Sequence, residues 1–183
     1  MSTWAVPFFA LATIGLWFLD RPGPWYRWKI ASLGAMTAAG LGLLASQVIT
    51  QFWQRPRPFI AHPHDTILLV ARSNEPSFPS DHAVAAFAIA FSVAFVGRRM
   101  GAAFLAGASL IALSRVIAGL HYPGDVLGGA AIGLLAAFVV MRLGGGYLAP
   151  VVRLLSRVSD PLVAPAWRAL DRAKDRRRGR TVV

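Results

Sequence analysis

The 183-residue chain is 56% hydrophobic and only 15% charged, a balance that excludes an ordinary soluble domain and fits one membrane-embedded domain. It contains no cysteine, which excludes disulfides, thiolate metal sites and a cysteine nucleophile. The formal net charge of +11 suits either nucleic acid or an anionic membrane surface. Nine of the nineteen Lys and Arg residues follow the last apolar segment without an aromatic stacking platform among them, so anionic lipid is favoured over nucleic acid as a partner.

Five apolar segments are predicted to be transmembrane helices, and in chain order they cover residues 4–19, 30–53, 83–96, 102–120 and 126–143. Several are short for a hydrocarbon core about 30 Å thick, so their ends are expected to extend into the flanking polar residues. The expected fold class is an all-α integral membrane protein, a transmembrane bundle of five to six helices.

The chain is predicted to divide into a membrane domain and a tail. The membrane domain is expected at residues 1–145 and a basic cytoplasmic tail at 146–183. The proline-rich stretch 56–78 is interpreted as a loop within the membrane domain.

The basic residues divide unequally between the two sides that alternating helices create. The side that carries the loops after the second and fourth segments has four of them, Arg55, Arg57, Arg72 and Arg115. The other side has the remaining fifteen. The positive-inside rule places the fifteen in the cytoplasm, so the first side is predicted to face outward.

Three polar clusters lie on that outward side, all at predicted helix ends. They are Gln-Arg-Pro-Arg-Pro-Phe at 54–59, Ser-Phe-Pro-Ser-Asp-His at 77–82, and Ser-Arg at 114–115 followed by His-Tyr-Pro-Gly-Asp at 121–125. Ionisable groups at membrane depth are costly and are usually functional. The clusters are therefore candidates for one shared site.

Some of these side chains suit a phosphoryl group. Arg57 and Arg115 offer fixed positive charge in a fork geometry, which can clamp phosphate oxygens as charge develops in the transition state. Ser80 follows a proline at the start of a predicted helix, where it can either cap that helix or donate to the phosphate.

Two histidines can divide the chemistry between them. Asp125 lies four residues after His121 and could accept its Nδ1–H, which would leave Nε2 to attack phosphorus. His82, in the first turn of the predicted helix after Ser80, could protonate the leaving oxygen.

Each cluster alone has a plainer explanation. The Arg-Pro-Arg-Pro run could be a membrane anchor, Pro-Ser-Asp-His a helix cap, and His121 an interfacial histidine. His62 and His64 could be metal ligands, but a single His-x-His pair is a weak signal and favours ordinary loop residues. Arg115 is harder to explain in this way, because it lies near the end of an apolar helix.

In combination, the motifs resemble the type 2 phosphatidic acid phosphatase family, the vanadium haloperoxidase-like phosphatases. The family signature is Lys-x6-Arg-Pro, then Pro-Ser-x-His, then Ser-Arg-x5-His-x3-Asp, and its later pieces occur here in order from Arg57 to Asp125. The resemblance covers about residues 5–145. One departure is Thr50, which stands where the family lysine would fall, so that either Arg55 substitutes for it or the phosphate is held without it.

One branch of the family is especially similar, the bacterial undecaprenyl-diphosphatases of the bacitracin-resistance type. The shared pieces are Arg-Pro-Phe-x-x-His at 57–62, Ser-Phe-Pro-Ser-Asp-His at 77–82 and His-Tyr-Pro-x-Asp-Val-Leu-Gly at 121–128. That branch usually has a further helix before the one predicted from residue 4, and the sequence leaves open whether this protein has one.

The resemblance implies hydrolysis of undecaprenyl (polyprenyl) diphosphate to the monophosphate plus phosphate, at the outer face of the bacterial cytoplasmic membrane, through a phosphohistidine and without a metal ion or cofactor. The roles it implies are nucleophile for His121, orientation of the nucleophile for Asp125, leaving-group acid for His82, and binding of the transferred phosphate for Arg57, Ser80 and Arg115. Arg55 and Asp81 are expected to serve the second phosphate and substrate selection.

Other functions stay open at this stage. The same fold could act on phosphatidylglycerophosphate, phosphatidate or a prenyl-phosphate sugar, or transfer the phosphate to an acceptor. A non-enzymatic scaffold or metal transporter built on His62, His64 and the tail belongs to a different class, and the complete histidine and arginine set argues against it. The lipid chain length and the oligomeric state are not determined by the sequence.

Overall fold

The computed structural model describes residues 5–23, 26–64, 66, 68–69 and 75–179. Within that part of the chain all regular structure is helical, which confirms the predicted all-α class. The helices are α1 Ala5–Trp17, α2 Arg27–Phe52, α3 Pro58–Ala61, α4 Asp81–Val96, α5 Arg98–Ile117, α6 Pro123–Phe138 and α7 Gly145–Gly179, with a π-helical turn at Val139–Leu143 between the last two.

The five predicted apolar segments all form helices. Three described helices are long and apolar enough to cross a membrane, Arg27–Phe52, Arg98–Ile117 and Pro123–Leu143. Helices α1 and α4 are apolar but shorter, and the 16 residues of α4 span about 24 Å at 1.5 Å per residue. As predicted, α2 and α5 begin in polar residues outside their apolar runs, at Arg27 and Arg98.

Prolines and a glycine set several helix ends. Pro58 and Pro123 occupy the first turns of α3 and α6, where a missing N–H costs nothing because that group has no partner within the helix. Gly97 separates α4 from α5 and is buried, and a Cβ there would lie 2.8 Å from the ring of Trp28. A larger residue at this corner would therefore push α2 away.

Helix α4 is the centre of the bundle and packs against α2, α5 and α6. The buried residues of α4 are mostly alanine. Large apolar side chains on the surrounding helices, such as Leu44, Leu110 and Leu135, are exposed on the outside of the bundle. Small residues inside and large apolar residues outside are typical of helices that pack in lipid. On α6, a Cβ at Gly133 would lie 2.7 Å from Val84 O and from Ala88 N, so this glycine permits backbone contact with α4.

The two ends of the bundle differ in character. The last turns of α2 meet the start of α4, where Ser46 hydrogen-bonds Asp81, and the three polar clusters gather at this end. The opposite end carries Arg27, Arg98 and Arg142 at the helix boundaries. Most of the segment predicted as a tail forms helix α7, which packs on α2 and on the π-helical turn at this end of the bundle.

Replacement of Gly133 by alanine is expected to destabilise the bundle. The added methyl group meets backbone atoms of α4 on both sides, so α4 and α6 must separate at a cost of about 1–3 kcal/mol. The unfolding temperature of the purified protein in detergent, followed by tryptophan fluorescence, should fall. Gly40→Ala is the matched control, since nothing lies within 4 Å of a Cβ at that helical position. Equal behaviour of the two variants would contradict the close α4–α6 contact.

Candidate active site

The backbone joins the three polar clusters at one end of the bundle. The N–H of Ser77 donates to the carbonyl of Arg55 over 2.7 Å, which links the second cluster to the first. The N–H of Ser80 donates to the carbonyl of Asp125 over 3.2 Å, which links the second cluster to the third. The residues that the sequence places far apart therefore form one site.

The carboxylate of Asp125 is the meeting point of the three clusters. Its side chain is 0% exposed, in the first turn of α6. It accepts hydrogen bonds from Arg55 Nη1 at 2.9 Å, from the backbone N–H of Tyr122 at 2.8 Å and from the hydroxyl of Ser77. Since a buried carboxylate is stable only when paired and hydrogen-bonded, these three partners hold the clusters in register.

The expected hydrogen bond between Asp125 and the nucleophile candidate His121 is not formed. The Nδ1 atom of His121 lies 2.8 Å from the carbonyl oxygen of Ser77 and 3.8 Å from Oδ2 of Asp125. The imidazole therefore donates to the Ser77 carbonyl, while the Asp125 oxygens take their hydrogen bonds from the three donors above. A carbonyl can only accept, so the proton is on Nδ1 and the lone pair is on Nε2, which is the tautomer a nucleophile needs.

Three further predicted residues supply buried hydrogen-bond donors. Arg115 and Ser80 are buried, and among the described residues nothing pairs with Nε or Nη1 of Arg115 or with the hydroxyl of Ser80. Ser80 therefore does not cap α4 through its side chain. Arg57 is also buried and donates from Nε to the carbonyl of Glu75 at 2.8 Å. Buried donors without protein partners indicate a ligand with acceptor oxygens.

Both histidines share the field of the two buried arginines. Arg57 and Arg115 interact electrostatically with His82, in the first turn of α4, and also with His121. The same two guanidinium groups interact with each other. Two like charges held close in a buried site favour binding of an anion between them.

Burial shifts the protonation of the groups in the loops of the site. Burial lowers the pKa of His121 to about 4. The Ser77 carbonyl opposes that shift by accepting from the ring, and the charges of the nearby arginines add to it. Burial also lowers the pKa of Arg57, partly offset by the charge of Glu75. At neutral pH the imidazole of His121 is therefore neutral and lies beside positive charge.

Two of the residues predicted to contact the substrate, Arg55 and Asp81, have protein partners within the described residues. Arg55 donates to Asp125 and stacks over the ring of Tyr122 at 3.9 Å. Asp81 accepts from the hydroxyl of Ser46 and, at 3.3 Å, from the side chain of Gln47.

Thr50, which stands at the position of the family lysine, contributes little to the pocket, and the same holds for the loop histidines. The hydroxyl of Thr50 donates to the carbonyl of Ser46 within its own helix. His62 and His64 are exposed, and the ring of His62 meets that of Tyr122 edge-on, with centroids 6.5 Å apart.

Sequence reasoning gave no role to several residues that hold the site together. Ser77 belongs to the second cluster and contacts the other two, the first through its N–H and the third through its carbonyl and its hydroxyl. Tyr122 contributes a backbone donor to Asp125 and a ring beneath Arg55. The only available signal was the place of Ser77 and Tyr122 inside the quoted motifs, whereas Ser46 lies in an apolar run without any signal.

The fold and this pocket define a multi-pass membrane protein with a buried, histidine-centred site for an anion. The sequence profile of the PAP2 superfamily matches residues 28–146. The chain therefore belongs to the PAP2 superfamily, which confirms the family predicted from the motifs.

Several known phosphatases are similar to this chain. The chain is 30% identical to undecaprenyl-diphosphatase BcrC of Bacillus subtilis over 89% of its own length and 81% of the relative's. It is 35% identical to decaprenylphosphoryl-5-phosphoribose phosphatase of Mycobacterium tuberculosis over 65% of its own length and 62% of the relative's. The fold resembles the crystal structure of a transmembrane PAP2-type phosphatidylglycerolphosphate phosphatase of Bacillus subtilis, with a TM-score of 0.55, 25% identity and coverage of 80% and 71%. These relatives agree on a phosphatase of membrane lipids and differ in the lipid.

Loss of the Ser77 hydroxyl is expected to slow phosphate release from a lipid phosphate. Ser77→Ala keeps the carbonyl that orients His121 and removes one donor to the buried Asp125. A hydrogen bond to a charged group contributes about 1.5–3 kcal/mol, so kcat should fall about 10- to 100-fold with KM little changed. Ser92→Ala is the control, because Ser92 is equally buried but bonds within α4. A lower unfolding temperature with unchanged kcat would mean that Ser77 acts on stability alone.

The imidazole of His121 is expected to stay neutral well into the acidic range. Nitrogen-15 NMR of histidine-labelled protein in detergent should show it with the proton on Nδ1 at pH 7 and protonated only near pH 4, with the signal assigned by its loss in His121→Asn. Because this pKa lies below the unfolded value of about 6.5, stability should fall as pH drops from about 6.5 to about 4. A titration midpoint at pH 6 or above would contradict the buried, arginine-flanked position.

Proposed function

We propose that this protein hydrolyses a polyprenyl diphosphate, with undecaprenyl diphosphate as the leading candidate, to the monophosphate and inorganic phosphate through a phosphohistidine on His121. The observation that carries the proposal is the combination of a neutral imidazole, fixed with Nε2 as its acceptor atom, and the buried donors of Arg115 and Ser80 that have no partner among the described residues. A phosphoryl group satisfies both features together.

In the first step the terminal phosphate lies between Arg57 and Arg115, with the Ser80 hydroxyl donating to one of its oxygens. Nε2 of His121 attacks phosphorus, a P–N bond forms, and the bond from phosphorus to the bridging oxygen breaks. That oxygen leaves on the prenyl monophosphate and takes a proton from His82. The two guanidinium groups stabilise the charge on the equatorial oxygens during the transfer.

In the second step water attacks the phosphohistidine. His82, now unprotonated, accepts a proton from that water, the P–N bond breaks, and inorganic phosphate leaves with His121 neutral again. The balance over both steps is one diphosphate and one water converted to one monophosphate and one phosphate. Every proton moves between groups of this chain and water, and the arginines supply the positive charge, so the proposed scheme contains no metal ion.

The second phosphate is proposed to meet Arg55 at the rim of the pocket. The Arg55 side chain is 38% exposed, and its orientation is fixed by Asp125 and by the Tyr122 ring. A guanidinium carries five N–H donors, and the contact with Asp125 uses one of them. Asp81, anchored to α2 by Ser46, is proposed to select the substrate by excluding headgroups that would bring more negative charge to that side.

The similarity to an undecaprenyl-diphosphatase over most of both chains supports a prenyl diphosphate as the substrate, and with it a role in recycling the cell-wall lipid carrier and in bacitracin resistance. The runner-up is a prenyl-phosphate sugar, which is favoured by the higher identity, over a shorter stretch, to the phosphatase of such a lipid. A glycerolipid phosphate is the third candidate, supported by the fold likeness to a phosphatidylglycerolphosphate phosphatase.

We also propose that the site faces outward from the bacterial cytoplasmic membrane. The support is the charge distribution, because Arg27, Arg98 and Arg142 lie at the end of the bundle away from the pocket. The basic segment 146–183 would then meet the anionic headgroups of the cytoplasmic leaflet. Water, which is the abundant acceptor outside the cell, favours hydrolysis over transfer to another lipid.

Purified protein in detergent with EDTA is expected to release phosphate fastest from undecaprenyl diphosphate, compared with a prenyl-phosphate sugar, phosphatidate and phosphatidylglycerophosphate. With terminally ³²P-labelled diphosphate and an alkaline quench, which preserves phosphohistidine, label should appear on the protein. The His121→Ala variant should lose both the label and turnover while keeping its unfolding profile. His64→Ala is the matched control, because that histidine is exposed in the loop outside the pocket and should leave both readouts unchanged.

Each other outcome rejects a defined part of the proposal. Preference for a glycerolipid or a sugar phosphate would overturn the substrate and keep the mechanism. Full activity of His121→Ala would overturn the mechanism, and loss of activity with EDTA that returns with added metal would overturn metal independence. No release from any lipid would overturn the phosphatase assignment itself.

A further inference from the structure

Helix α7 has three distinct faces. One face packs on the protein through the buried residues Leu148, Val152 and Ser156. A second face, here called the apolar stripe, exposes large apolar side chains at helical spacing; its members are Tyr147, Val151, Leu154, Val158 and Leu162. The third face, here called the arginine flank, consists of Arg153, Arg157 and Arg168, all exposed. The phosphatase mechanism uses none of these residues.

A buried charge pair fixes the rotation of α7. Lys29 of α2 is 1% exposed and forms an ion pair with Asp160 of α7. The rings of Trp17 and Tyr26 lie 5.7 and 5.6 Å from the same ammonium group. Because an unpaired ammonium at this depth would be strongly unfavourable, Asp160 must face α2, and the apolar stripe must then face away from the protein.

Two more contacts place α7 beside the start of α2 and the end of α1. Leu148 packs beside Gly34, and Lys29 meets Asp160, so α7 touches α2 within the first eight residues of that helix. Farther along, Arg21 pairs with Asp171 at 2.9 Å, just beyond the end of α1. The helix therefore crosses the end of the bundle where the membrane-spanning helices begin and end.

The arrangement of the two free faces identifies what covers them. Arg153 precedes Leu154 by one residue, and Arg157 likewise precedes Val158, which places each arginine about 100° around the helix from the stripe. An apolar face bordered by arginines, at the membrane boundary, is complementary to acyl chains and anionic phosphates together. A protein partner would need an apolar and an acidic surface side by side, whereas anionic lipid supplies both in one layer.

We propose that α7 is an interfacial helix whose apolar stripe inserts between acyl chains and whose arginine flank binds the phosphates of anionic phospholipids. The buried Lys29–Asp160 pair sets the face that α7 presents to the membrane. This inference concerns the end of the molecule opposite the pocket and does not depend on the proposed substrate.

Because the chain lacks cysteine, single-cysteine variants of the full-length protein test the proposal directly. Leu154→Cys and Val158→Cys are labelled with an environment-sensitive dye and placed in nanodiscs, one protein each, with or without phosphatidylglycerol. The expected result is a blue-shifted emission that lipids with brominated acyl chains quench, strongest in the anionic nanodiscs. This readout does not involve phosphate release, so it stays informative even if the proposed activity is wrong.

The contribution of the arginine flank is tested in the same labelled background. Arg153→Gln with Arg157→Gln should shift α7 toward the water-exposed state by about tenfold or more in anionic nanodiscs, because each arginine near an anionic surface contributes about 1 kcal/mol. Arg98→Gln with Arg99→Gln is the matched control, since these exposed arginines lie at the same end of the bundle but on α5.

Three results would overturn the proposal. Quenching by aqueous iodide instead of brominated lipid would show that the stripe faces water. Equal quenching with zwitterionic and anionic lipid, unaffected by the Arg153 and Arg157 substitutions, would show that the arginine flank does not bind lipid phosphate. Exposure of the dye in the nanodiscs with one protein, together with shielding in a second preparation with two proteins per nanodisc, would identify a second copy of the chain as the occupant.

Discussion

The arrangement of the active site depends on the burial of one carboxylate. Asp125 is 0% exposed and takes donors from Arg55, from Ser77 and from the backbone of Tyr122, so each polar cluster must reach it for the folded chain to avoid an unpaired charge. Arg57, Arg115, His82 and His121 belong to the same three clusters, so they are brought to the same site. Ser77 connects Asp125 to His121, because its hydroxyl donates to the carboxylate and its carbonyl accepts from the imidazole.

The hydrogen bonds around Asp125 require that α4 and α6 approach closely. The start of α4 carries Ser80 and His82, the start of α6 carries Asp125, and Gly129 and Gly133 remove the side chains that would separate the two helices. Because lipid provides little hydrophobic drive for helix association, such backbone contact is a main source of attraction between helices. The same contact between α4 and α6 also sets the distances between the pocket residues that the two helices carry. The geometry of the site therefore depends on the packing of the bundle.

Much of this could be predicted from the sequence because it depends on one-dimensional patterns. Apolar runs predicted the five apolar helices of the bundle, and motif spacing predicted the family and the candidate residues. The short helix α3 was not predicted, because it lies in the proline-rich stretch 56–78 that was interpreted as a loop. Hydrogen-bond partners could not be predicted in the same way. His121 lies 2.8 Å from the Ser77 carbonyl and 3.8 Å from Asp125, and this difference depends on how the loops pack in three dimensions. The burial of Lys29 could not be predicted either. The sequence placed it among the fifteen basic residues of the cytoplasmic side, and the packing of α7 on α2 shows that it is buried.

The two ends of the molecule use positive charge in opposite ways. In the pocket Arg57 and Arg115 are buried away from competing water, and Nε and Nη1 of Arg115 have no partner among the described residues, so they can donate to an anion that enters the site. At the other end Arg98, Arg153 and Arg157 are exposed, where they are hydrated and suited to a broad anionic surface. Burial separates these roles more than the number of charges does. Under the proposed function the few buried guanidinium groups recognise one phosphoryl group, whereas the many exposed ones orient the protein in its membrane.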